Sequence, residues 1–132
     1  MTKLNSYLSL IRFYNPIGFW LLLWPGLWGL FLSDNFNIEN FTIVVLGSFL
    51  TRSLGCAIND FLDRDFDKSV ERTKNRPIAS KELSLSEAGI FIILLASVCI
   101  FLLMQTNPYT IKLVSYIAIP MIILYPLSLI HI

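Results

Sequence analysis

Residues 40–67 read NFTIVVLGSFLTRSLGCAINDFLDRDFD. From Asn40 to Asn59 the only charge is Arg52, and these 20 residues form about 30 Å of helix, the thickness of a bilayer's hydrocarbon core. Four aspartates follow within eight residues: Asp60, Asp63, Asp65 and Asp67. An apolar rod that ends in clustered carboxylates predicts a transmembrane helix whose polar end carries chemistry.

The flanking sequence repeats the apolar pattern. Phe13 to Ser33 contains no charge, and the polar stretch Asp34 to Glu39 separates it from the next rod. Ala88 to Met104 and Leu113 to Ile132 supply two more apolar runs, divided by the turn-forming cluster Gln105-Thr106-Asn107-Pro108. The expectation is an all-α fold: one polytopic transmembrane bundle of about four spans, 13–33, 40–59, 88–104 and 113–132, with a polar segment at 60–87. A cleaved signal peptide competes for the first span, but Pro25 and three tryptophans sit inside a run longer than a signal's core. Composition agrees with a lipid environment: 55% hydrophobic residues, 14% charged, mean hydropathy +0.68. A formal net charge of +1 argues against nucleic acid as a partner. Cys56 and Cys99 both lie in apolar runs and read as packing residues.

Charge placement orients the bundle. Lys3 and Arg12 precede the first span, six bases fall between Asp60 and Glu87, and the 34–39 turn has none. The positive-inside rule then puts the N-terminus and the 60–87 segment on the cytoplasmic side of an integral membrane protein, the bacterial inner membrane being the expected location.

That rule predicts bases, not the arrangement of the acids. If the second helix continues past the membrane edge, roughly 100° per residue from Arg52 puts Asn59 near −20°, Asp63 near 20°, Asp67 near 60° and Asp60 near 80°. Asp65 points away. Carboxylates a turn apart repel unless a cation offsets them, and Mg²⁺ takes hard oxygens, one or two of them carboxylate, leaving positions for water and phosphate. The EF-hand loop that would favour Ca²⁺ is missing.

Arg52 inside a span should face a polar cavity, because an unpaired guanidinium at mid-membrane costs at least ~2.5 kcal/mol. Arg72 and Arg76, one turn apart if their stretch is helical, suit phosphate through bidentate donation; cytoplasmic-loop bias explains such bases equally well. Trp20, Trp24 and Trp28 recur every four residues, as packing, an interfacial belt or a wall for an isoprenoid tail. Ser84-Leu85-Ser86-Glu87 reads as a capping box opening the third span. His131 has no evident partner and receives no role.

These residues resemble the UbiA superfamily of intramembrane prenyltransferases, and within it the branch that prenylates 4-hydroxybenzoate on the way to ubiquinone. Asn15-Pro16-Ile17-Gly18 through Leu22-Leu23-Trp24-Pro25 is similar to the family's first helix. Gly55-Cys56, then Asn59-Asp60-x-x-Asp63-x-x-x-Asp67, resembles its first aspartate-rich motif, and Arg72-Thr73-x-x-Arg76-Pro77 resembles the sequel. The resemblance implies a lipid-accessible cavity with a site near the cytoplasmic face. Mg²⁺ on Asn59, Asp60, Asp63 and Asp67 would bind a polyprenyl diphosphate, and Asp60, Asp63 and Asp67 would be the catalytic carboxylates. As the allylic C–O bond breaks, the ring of 4-hydroxybenzoate attacks ortho to its hydroxyl and then loses a proton. Arg52, Arg72, Arg76 and Tyr125 become the substrate contacts.

Departures from the pattern matter too. Lys81 stands where a glycine is common, Leu129 replaces the usual base four positions after Tyr125, and a second aspartate-rich motif is absent. The expectation is therefore a partial version of a larger bundle, inactive alone. The alternatives are a non-catalytic membrane remnant or helper module packing with another protein and, less favoured, an ion-conducting fragment.

Overall fold

The structure is a computed structural model that describes residues 2–34, 36–121 and 124. Among the described residues every regular element is helical: α1 (Lys3–Leu10), α2 (Ile17–Leu32), α3 (Ile38–Leu62), α4 (Arg64–Asp67), α5 (Leu85–Met104) and α6 (Pro108–Leu113), which runs on into a π-helical turn at Val114–Ala118. α3 packs against both α2 and α5. By length and composition α3 and α5 can each cross a membrane, and α2 is a shorter apolar helix. Ile90, Ile93, Leu94, Ile100 and Phe101 of α5 are exposed, the surface expected of a rod that faces lipid.

The first apolar helix begins at Ile17, four residues later than the charge pattern suggests. Its late start has a local cause. α1 closes with the Phe13 amide donating to Leu8 O and the Arg12 amide to Ser9 O, both at 3.0 Å, with Arg12 at φ 58. The chain then turns until Pro16 starts α2. Its 16 residues make about 24 Å of helix, less than a full hydrocarbon crossing. Gly26 lets α2 approach α3 closely, since a Cβ there would lie 2.9 Å from Val44 Cγ1.

Capping explains the other boundaries. The Asn37 side chain accepts from the Asn40 amide at 2.7 Å and starts α3. Ser84 and Glu87 form the expected reciprocal box, so α5 opens at Leu85 rather than Ala88. The Asn107 side chain accepts from the Thr110 amide at 2.8 Å, and Pro108 takes the first helical position. The fourth helix thus begins at Pro108, five residues before Leu113. The end of that expected span, with Tyr125, Leu129 and His131, lies outside the described residues.

Residues 60–87 are more than a solvated loop. Leu10, Ala57, Ile78, Leu83 and Ala88 form a buried cluster, with Tyr7, Phe61, Phe91 and Ile92 packed on it. The cluster ties α1, α3 and α5 to the Ile78–Leu83 stretch and so holds the polar segment on the end of α3. Lys3 pairs with Glu87, whose carboxylate holds the ammonium above the usual lysine range, and Ser6 Oγ donates to Glu82 Oε2 at 2.7 Å. Lys81 has φ 64, a left-handed conformation that glycine adopts without strain. Replacing Leu83, which is 1% exposed, with alanine is expected to cost about 2–5 kcal/mol in denaturant unfolding. A cost below that of an exposed α5 leucine such as Leu94→Ala would show that the cluster does not anchor the segment.

Candidate functional site

Asp60 occupies the last turn of α3 and is 1% exposed. A carboxylate so buried needs partners, and two guanidinium groups supply them. Arg12 Nη2 donates to Asp60 Oδ1 at 2.9 Å, and Arg76 Nη1 lies 3.1 Å from the same oxygen. Arg76 Nη1 also donates to Asp67 Oδ2 at 2.8 Å, so one nitrogen joins two buried carboxylates. Asp60 Oδ2 is buried without a hydrogen-bond partner among the described residues.

α3 does not run on through the aspartates. It ends at Leu62, Asp63 caps it at φ −85 and ψ 1, and the four-residue α4 follows. The continuous stripe predicted from helical periodicity is therefore broken. Asn59 Nδ2 donates to Asp63 Oδ2 at 2.9 Å, forming one pair, while Asp60 and Asp67 form another through Arg76. Asp65 faces outward as the wheel predicts, and Lys68 at 2.7 Å holds its carboxyl below the usual range. The 69–83 stretch is a run of turns, so Arg72 and Arg76 do not share a helix face. Arg76 enters the site; Arg72 is exposed and has no ion-pair partner among the described residues.

A cavity of about 850 Å³ adjoins this array, lined by Arg12, Gly18, Arg52, Asn59, Asp60 and Arg76, among others. Arg52 thus shares a cavity with the charged and polar groups of Arg12, Asn59, Asp60 and Arg76, which spares its guanidinium a wholly apolar setting. Arg12 and Arg52 also border a smaller, apolar cavity of about 350 Å³ walled by Phe13, Phe19, Trp20 and Phe49. Trp20 contributes to that wall, whereas Trp24 and Trp28 are more than half exposed and do not line it.

Among the described residues no three His, Cys, Asp or Glu side chains gather about one point, so Asn59, Asp60, Asp63 and Asp67 do not form a single ring here. The donor chemistry still suits a magnesium ion. Asp60 and Asp67 already converge on one cationic nitrogen, Asp60 Oδ2 is a further free oxygen, and Mg²⁺ needs only one or two carboxylates from the protein.

Residues 22–131 match the UbiA prenyltransferase family. The chain belongs to that family. Similar UbiA relatives include 4-hydroxybenzoate octaprenyltransferases from three bacteria. The one from Polynucleobacter asymbioticus is 42% identical over 96% of the chain and 44% of its own length. The protein from Vesicomyosocius okutanii is 49% identical over 89% of the chain and 44% of its length. That of Pseudomonas aeruginosa is 43% identical over 92% and 41%. The UbiA chain therefore spans less than half the length of these relatives. No solved structure matches it.

Arg12 is the residue of this UbiA site that sequence reasoning missed. It was legible only as a base before a span. The signal lies in its backbone: a non-glycine residue held at φ 58 costs about 1–2 kcal/mol, and here the cap geometry aims its guanidinium at Asp60.

Proposed function

We propose that these 132 residues carry the first aspartate-bearing part of an enzyme that transfers a polyprenyl group from polyprenyl diphosphate to 4-hydroxybenzoate in ubiquinone biosynthesis. The reading rests above all on the buried Asp60–Arg76–Asp67 array beside a cavity that Arg52 also lines. Asp60, Asp67, Asp63 and Asn59 would hold magnesium. When bound, the ion supplies Lewis-acid charge to the diphosphate leaving group.

The chain's own residues do the rest. Arg76, released from the carboxylates, donates to phosphate oxygens, and Arg52 takes the carboxylate of the aromatic acceptor. Arg72 and Tyr125 are further substrate contacts. Apolar walls such as Phe19, Trp20 and Phe49 keep water from the allylic cation while the ring carbon ortho to the hydroxyl attacks. The protein sits in the bacterial inner membrane with four spans, its N-terminus and the 60–87 segment cytoplasmic; the distribution of lysines and arginines supports this orientation. Spanning under half of its relatives' length, it is inactive by itself.

The test is prenyl transfer in membranes of a strain lacking its own 4-hydroxybenzoate prenyltransferase. The chain alone should give none. Fused to the remaining segment of the Pseudomonas aeruginosa relative, it should restore Mg²⁺-dependent transfer, and Asp63→Ala in that fusion should lower the rate by about 100-fold or more, the upper range for lost metal-shell groups. Full activity of the Asp63→Ala fusion would overturn the assignment, and transfer by the chain alone would overturn its inactivity.

A further inference from the structure

Gly18 lies in the first turn of α2, on the cavity wall, and its backbone does not require glycine: no glycine here has a positive φ. Space requires it. A Cβ on Gly18 would lie 2.0 Å from Arg52 Nε, 2.4 Å from Cζ and 2.6 Å from Nη2. At Gly29, Gly47, Gly55 and Gly89 a Cβ would meet nothing within 4 Å. The Arg52 side chain crosses from α3 and lies against the α2 backbone where the side chain is missing. Its Nε is buried with no hydrogen-bond partner among the described residues, a donor kept out of water with nothing to donate to. Both residues line the cavity that holds Asn59 and Asp60.

We infer that Gly18 is a positioning residue: its bare Cα is the notch that seats the Arg52 guanidinium, with Nε buried against it, and so fixes where the rest of that guanidinium meets an anionic oxygen in the cavity. What the anion is rests on the proposed function; the seat itself does not. An alanine would overlap only the far end of a flexible side chain, so the helix survives and the guanidinium moves. A planar guanidinium recognises a carboxylate by position as much as by charge, so a displaced Arg52 loses its ligand while keeping its charge.

The experiment compares the wild-type chain, Gly18→Ala, Arg52→Ala and the double variant in detergent micelles. Exchange of the Arg52 Nε proton is read by NMR, and calorimetry reads binding of two probes, 4-hydroxybenzoate and inorganic pyrophosphate with Mg²⁺. Gly18→Ala should speed Nε exchange at least about tenfold. It should weaken 4-hydroxybenzoate binding as much as Arg52→Ala does, with no further loss in the double variant, the non-additivity of two residues acting through one group. Pyrophosphate binding should change little; a loss confined to pyrophosphate would overturn the carboxylate assignment. Unchanged Nε exchange in Gly18→Ala, or fully additive losses, would overturn the seat. If Gly18→Ala fails to fold, Arg52→Ala must rescue it, and no rescue also overturns the seat. A wild-type chain that binds neither probe, with Nε exchange still accelerated in Gly18→Ala, sinks the functional reading and leaves the seat standing.

Discussion

Asp60→Ala is expected to destabilise the chain by about 3–5 kcal/mol, measured as denaturant unfolding in micelles against the unmodified protein. The magnitude follows from what the substitution strands. Asp60 is 1% exposed and is the common acceptor for Arg12 and Arg76, whose side chains are 28% and 19% exposed. Without the carboxylate, Arg12 keeps a strained backbone and loses its anionic partner, and Arg76 keeps only Asp67. Asp60→Asn should cost less, since an amide oxygen still accepts. Asp65→Ala is the control. Its pairs with Lys68 and Arg64 lie in solvent, where such pairs contribute about 0–1 kcal/mol, so unfolding should barely shift. Equal losses at Asp60 and Asp65 would mean that the arginine pair is not held by the buried acid.

How far this arrangement could be read from sequence depends on the range of the interaction. Features set within four residues were legible. The Ser84–Glu87 box reads outright, and Asn59 and Asp63 fall a turn apart on one face; Gln105-Thr106-Asn107-Pro108 reads only as a turn, although Asn107 and Pro108 open α6. Asp65 is exposed as the wheel has it, although the helix on which that wheel is drawn ends at Leu62. Arg52 was assigned to a polar cavity by the cost of burying charge, a constraint that holds whatever the tertiary structure.

What failed was extrapolation beyond a helix end. No glycine or proline marks Asp63, yet α3 stops there, and the aspartates sort into two pairs instead of one stripe. Arg72 and Arg76 look equivalent on a hypothetical helix, but the turns leave Arg72 exposed and bring Arg76, half-buried, onto Asp60 and Asp67. Arg12 depends on two remote facts: a cap that forces φ 58 without glycine, and an acid 48 positions on. Neither has a local signature. Gly18 was legible as part of a motif, but its purpose requires knowing which side chain crosses it.

The arginine at the centre of the array leads to a second large effect. Arg76→Gln should lower metal-free stability by several kcal/mol while tightening Mg²⁺ binding about tenfold, a difference of about 1.4 kcal/mol. Arg76 Nη1 bonds Asp60 Oδ1 and Asp67 Oδ2, and these two carboxylates are among those that would hold a divalent ion, so guanidinium and ion would compete for their charge. Glutamine can still donate to one carboxylate but brings no charge, which leaves two acids to repel each other until an ion arrives. Saturating MgCl₂ should therefore raise the melting temperature of the variant more than that of the wild type, by the free energy that a tighter folded-state ligand adds. Pyrophosphate affinity should move the opposite way, because the donor that would pass from carboxylate to phosphate is gone. These opposed shifts separate an exchanging arginine from a merely structural one, which would lower stability equally with and without the ion. Identical Mg²⁺ shifts in the two proteins would place the ion away from Asp60 and Asp67, leaving Arg76 as their permanent counterion.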